Sequence, residues 1–281
     1  MPVIAVLALL PAPQWAQSIR ADAALFNGET IESSRPLVEV ASILRARYGK
    51  LIAYEDPLWE WVGDDAPQDP RRFPGPGASL MATPVERVFR LPPELTGSRP
   101  RELTPGVLET VLAAYHRQYP VPRYRIVESK YGLHFVPETA HDAGGPVGPA
   151  CNVMDTSITV EESTRTASEH FAAICQVLSQ AHGFPVMCAA IGIREDWFEK
   201  LFGAPGGTLK WGASAVSARD ALADLLDHSA TSFSWATYCD RKTLPNGAPR
   251  CIVDLQYIRV ARTDTNGKPG LARLEYDRRK K

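Results

Sequence analysis

No sign of charge dominates this chain: 31 Lys and Arg stand against 32 Asp and Glu in 281 residues, a net charge of -1. Without a strong field to gather a phosphate backbone or an anionic membrane, generic polyanion or nucleic-acid binding is not expected. The one like-charge block, Arg278-Arg279-Lys280-Lys281, reads as a solvated end. Cysteine is missing from the first half. The five that follow, Cys151, Cys175, Cys188, Cys239 and Cys251, include no CxxC pair, so the common zinc and thioredoxin-like motifs are excluded. HExxH, GxxxxGK[ST], GxSxG and GxGxxG are also absent. Zinc-protease, P-loop, hydrolase-elbow and dinucleotide chemistry therefore have no local carrier. No apolar run approaches the ~20 residues that a membrane-crossing helix needs, so the mature chain is expected to hold no integral membrane segment.

What is present begins with Val3–Leu10, an apolar octet followed by Pro11, Pro13 and Ala16. These are the h-region and c-region of a secretory signal over residues 1–16, although no Lys or Arg precedes Val3. Export places the chain in the periplasm or outside the cell, where thiols oxidise. Cys239 and Cys251 lie on either side of Asn246-Gly247, a strong hairpin signal, and a hairpin register can set them opposite each other. That register sets Thr237, Trp235 and Phe233 opposite Val253, Leu255 and Tyr257, and brings the two sulfurs face to face. A disulfide Cys239–Cys251 is therefore expected, worth about 3 kcal/mol by chain entropy. Cys175 with Cys188 is the second pair, which leaves Cys151 over.

Helical periodicity occurs four times. Leu37, Val40, Ala41, Leu44 and Tyr48 follow a Ser34/Pro36 start and end at Gly49; Leu108, Val111, Leu112 and Tyr115 run from Thr104-Pro105 to Pro120. Thr166 with Glu169 is a capping box ahead of Phe171, Ile174, Cys175 and Leu178, and Ser217 with Asp220 opens the fourth helix, carrying Ala221, Leu222, Leu225 and Leu226. Strand-like pieces surround each helix. The order strand, helix, strand, strand, helix, hairpin occurs twice, which predicts an α+β protein of two modules, each with two helices packed on short strands. Module 1 spans 25–137 with a loop insertion at 59–84, module 2 spans 153–260, a Gly- and Pro-rich linker occupies 138–152, and a basic tail covers 261–281.

Arg35, Pro36, Leu37, Val40, Leu44, Gly49, Ile52 and Tyr54 match the core of the short N-terminal domain of secretins and TonB-dependent receptors, the STN domain. Residues 216–235 match the second half of that pattern better than 105–135 do, so the chain resembles a duplicated STN-like protein. The resemblance implies small periplasmic α+β modules working by protein contact with an envelope partner and not by catalysis. Within these 281 residues no stretch resembles a secretin channel or receptor barrel.

Candidate contact residues are Trp59 and Trp61 in the insertion, and Trp197 and Phe198 in the amphipathic stretch REDWFEKLFG. The competing expectation is a carbohydrate-active or carbohydrate-binding protein using the groove between modules, with Tyr54, Glu55, Trp59 and Trp61 as its residues. Glu55-Asp56 and Glu161-Glu162 are adjacent carboxylates, which a strand sends to opposite faces, so neither pair converges on one atom. His170 and His182 are too far apart for a zinc helix, and His116, His134, His141 and His228 read as isolated surface or edge histidines. No catalytic, cofactor or metal residues are expected.

Overall fold

The computed structural model describes residues 30–61, 64, 85–96, 102–190, 202, 207–240, 249–263 and 269–273. The proposed signal, most of the insertion, Trp197, Phe198, the Asn246-Gly247 turn and the last eight residues lie outside these. Four longer helices form where the periodicity predicts them: α1 (Pro36–Tyr48), α2 (Pro105–Gln118), α3 (Ala167–His182) and α4 (Ala218–Asp227). Gly49 ends α1 in the left-handed conformation, with its N–H on the Arg45 carbonyl. Thr166 and Glu169 make both bonds of the capping box on α3, and the Ser217 side chain accepts from the Asp220 N–H on α4.

The strands are β1 (Thr30–Ser33), β2 (Ile52–Tyr54), β3 (Arg87–Arg90), β4 (Arg123–Ser129), β5 (Gly132–His141) and β6 (Val147–Pro149). They continue as β7 (Ser157–Thr166), β8 (Val186–Ala189), β9 (Thr208–Ser217), β10 (Phe233–Asp240), β11 (Arg250–Tyr257), β12 (Arg259–Thr263) and β13 (Pro269–Arg273). In the first half β1 pairs antiparallel with β3, while β2 pairs parallel with β5 and β5 antiparallel with β4. The second half has the same pairings: β7 with β9, β8 parallel with β11, and β11 antiparallel with β10. β2 and β10 then join side by side at Tyr54 and Ala236, giving one sheet of order β4-β5-β2-β10-β11-β8, with β6 on β5. The β10–β11 register is the one expected with the two cysteines face to face, with Phe233, Trp235, Thr237 and Cys239 opposite Tyr257, Leu255, Val253 and Cys251.

Each face of this sheet carries its own helices. Ile52, Tyr54, Phe135 and Ala236 pack in one core with α1 and α2; Ala53, Trp235, Val253 and Leu255 pack in the other with α3 and α4. Strand alternation accounts for the division, because Ala53 points opposite to Ile52 and Tyr54. β1 and β3 cover α1, and β7 and β9 cover α3 and α4.

Two boundaries differ from the sequence expectation. Residues 138–152 are no free linker: they complete β5, turn at Asp142–Gly145 and return as β6. Their Gly and Pro content builds the hairpin turn, where Asp142 Oδ1 accepts from the Gly144 N–H at 2.8 Å. The stretch read as a basic tail begins with β12 and β13, paired from Arg259–Arg273 to Thr263–Pro269, and β12 runs beside α1.

Candidate functional site

β2 ends at Tyr54, and the next two residues, Glu55 and Asp56, send their carboxylates to opposite faces of the sheet. Both are fully buried. Glu55 accepts from Arg219 Nε at 2.7 Å and Nη2 at 2.6 Å, a two-pronged pair, and from Asn152 Nδ2 at 2.6 Å. Arg219 Nη2 also reaches Asp155 at 2.6 Å. On the other face Asp56 accepts from Arg35 Nε at 2.7 Å, the Tyr54 hydroxyl at 2.6 Å and the Cys239 N–H at 3.0 Å. Arg35 extends to Asp240 at 3.1 Å. Burial alone would lower the two guanidiniums, but the paired carboxylates outweigh it and hold both above their ordinary value. Saturated in this way and closed to solvent, Glu55 and Asp56 hold the two halves together and have no oxygen free for a substrate.

Neither arginine is among the expected site residues, although Arg35 stands in the STN-like pattern, yet a signal exists. Arg35 is the N-cap residue of α1 and Arg219 lies in the first turn of α4. A cation is disfavoured at a helix N-terminus, so an arginine buried there requires a carboxylate partner.

Trp59 is not a surface contact. It is 6% exposed, because the chain after Pro57 folds back over the sheet, where Leu58 N–H donates to the Cys151 carbonyl at 3.2 Å. The Arg87 guanidinium sits 5.5 Å over its ring. Of the residues expected in a carbohydrate groove, Tyr54, Glu55 and Trp59 are all buried. Trp61 is half-buried and lies against His141, ring centres 4.5 Å apart, while His141 Nδ1 meets Asp64 Oδ2 at 3.0 Å. Gly145 makes room for it: with φ at +100° it takes a conformation that side chains rarely adopt, and a Cβ there would stand 3.0 Å from Trp61 Nε1. Val147, opposite His141 in the hairpin, is 52% exposed. Trp61, His141 and Val147 thus form a mixed aromatic and apolar surface on the β5–β6 hairpin.

Strand edges are partly closed by side chains. Tyr119 Oη accepts from the Val88 N–H at 2.9 Å and donates to its carbonyl at 2.8 Å, so β3 is capped at that residue. Ser179 Oγ does the same for Val186 of β8, at 2.8 and 3.1 Å, and His116 Nε2 accepts from the Tyr124 N–H of β4 at 2.9 Å. Such caps blunt edge-to-edge pairing.

His134 and His170 are fully buried, against the expectation of surface or edge positions for His134. His134 Nε2 meets Ser129 Oγ at 2.8 Å and its ring lies 5.2 Å from Trp235; burial pushes its imidazole down to about 3. Cys175–Cys188 and Cys239–Cys251 are disulfides, and Cys151 is free and exposed. Among the described residues no group of three or more His, Cys, Asp or Glu is placed to hold a metal ion, and no helix is long and apolar enough to cross a membrane. Compared with protein-family models, curated proteins and solved structures, the chain matches none.

Proposed function

We propose that this chain is an exported bacterial protein, periplasmic or secreted, built of two STN-like modules and acting through contacts with an envelope protein rather than by catalysis. The observation that carries this is the recurrence of one set of strand pairings in both halves, a two-stranded ladder and a three-stranded mixed sheet around each helix pair. It fits the small α+β modules that the resemblance at Arg35–Tyr54 implies. Two disulfides support an oxidising compartment. The sequestered carboxylates leave the surface around Trp61, His141 and Val147 as the contact region the geometry favours.

Crosslinking followed by pull-down from an envelope extract tests it. Recovery of a specific envelope protein by the native chain, lost with Trp61→Ala, is the expected result. Equal recovery by an unrelated disulfide-bonded control would overturn the contact reading.

A further inference from the structure

A second surface lies away from the Trp61 hairpin, between the end of β3 and the outer side of α2. Here a cavity of about 440 Å³ has a lining of mixed polarity, with Leu91, Pro92, Ala113 and Ala114 beside Thr110 and Gln118, and Arg90 and Arg117 on it as well. The size falls within the roughly 300–1,000 Å³ of small ligand clefts, enough for a few residues of a bound segment. Pro92 and Pro93 stiffen the part of the lining that follows β3, so little order has to be imposed there on binding. Arg90 and Arg117 are exposed, and among the described residues neither makes an ion pair. Among the described residues no carboxylate lines the cavity. Two exposed cations with no ion pair among the described residues, in a chain of near-zero net charge, are a local asymmetry that the whole molecule does not have.

We infer that this cleft docks a short acidic segment of a partner protein, its carboxylates on Arg90 and Arg117 and a small aliphatic side chain on Leu91, Ala113 and Ala114. The inference rests on the contact reading above and names the chemistry of a partner segment. Charge complementarity selects the occupant: a basic segment would meet two like charges, and a wholly apolar one would leave both guanidiniums without use.

Fluorescence anisotropy on the purified, oxidised full chain tests it, with a fluorescein-labelled Glu-Leu-Glu-Leu-Glu amide as probe and the Lys-Leu-Lys-Leu-Lys counterpart as control. The acidic peptide is expected to bind and the basic one not. Arg90→Glu with Arg117→Glu should weaken binding at least about tenfold, as should 0.5 M salt. Ala113→Trp, which fills the cleft without altering charge, should also abolish it. Circular dichroism identical to the parent checks that these surface variants fold. No binding by the parent chain, or equal binding by all variants, overturns the assignment, and so does binding to phosphatidylglycerol vesicles in place of the peptide. No envelope extract is used, so failure here leaves the Trp61 pull-down to be judged separately.

Discussion

Arg219 and Glu55, 164 residues apart in the chain, share two parallel hydrogen bonds of 2.7 and 2.6 Å in the interior. Arg35 and Asp56 make the corresponding pair on the other face of the sheet, from the start of the other half's helix. Adjacent residues just past the end of β2 thus tie helices of both halves to that strand. Breaking such a pair strands a buried charge, whereas replacing both members removes the desolvation cost as well.

Arg219→Met alone should therefore lower stability by about 3–5 kcal/mol. Glu55→Leu with Arg219→Met should recover most of that loss, because Asp155 is partly exposed and tolerates losing its partner. Urea unfolding midpoints of the single and double variants check this. A double variant as unstable as the single would mean that the pair contributes more than its own mutual attraction.

Acidification acts through His134. Its folded value lies near 3 and its ordinary value at 6.5, because burial disfavours the charged form. The unfolded chain therefore binds the proton first: the stability is fully present above about pH 6.5 and is lost as pH falls toward the folded value. Between pH 7 and pH 5 this group should cost about 2 kcal/mol, from about 1.4 kcal/mol per unit. His116 and His182, also lowered by burial, add in the same direction. His134→Gln should flatten this part of the pH–stability curve, measured by urea unfolding at both pH values. An unchanged slope would mean that His134 does not carry it.

Local signals made much of the fold legible. Thr166 with Glu169, Ser217 with Asp220 and Gly49 mark helix ends through backbone groups within a few residues, and the spacing of Cys239 and Cys251 sets a hairpin register. The β2–β10 junction was not legible, since it pairs a three-residue strand with one about 180 residues later, and nothing local specifies that. His134 was misjudged for a related reason. In β5 both faces are covered by helices, so alternation of Leu133, His134 and Phe135 separates two buried sides and not inside from outside. Trp59 belongs with it, as exposure of an aromatic in a long insertion depends on what the chain folds against.

Trp59 and Trp61 should accordingly separate in experiment. Trp59→Ala removes a buried ring and should cost about 3–5 kcal/mol. Trp61→Ala removes a half-buried one and should cost about 1 kcal/mol or less. Thermal unfolding of the two variants measures the difference. Equal losses would put Trp61 in the framework and weaken its use as a contact residue.

The two disulfides close loops of nearly equal length, with separations of 13 and 12 residues, so chain entropy assigns each about 3 kcal/mol. Their positions differ. Cys239–Cys251 spans strands already paired in the sheet, whereas Cys175–Cys188 ties α3 to β8, which among the described residues pairs with β11 alone. Cys175→Ala with Cys188→Ala should therefore release β8 locally as well as lower global stability: amide exchange at Val186–Ala189 should quicken more than exchange in β10. Cys239→Ala with Cys251→Ala should quicken exchange across the core together, since no edge is freed by its loss. Hydrogen exchange followed by mass spectrometry distinguishes the two. Uniform loss of protection in both variants would show that β8 opens only with the whole sheet, and that Ser179 and β11 suffice to hold the edge.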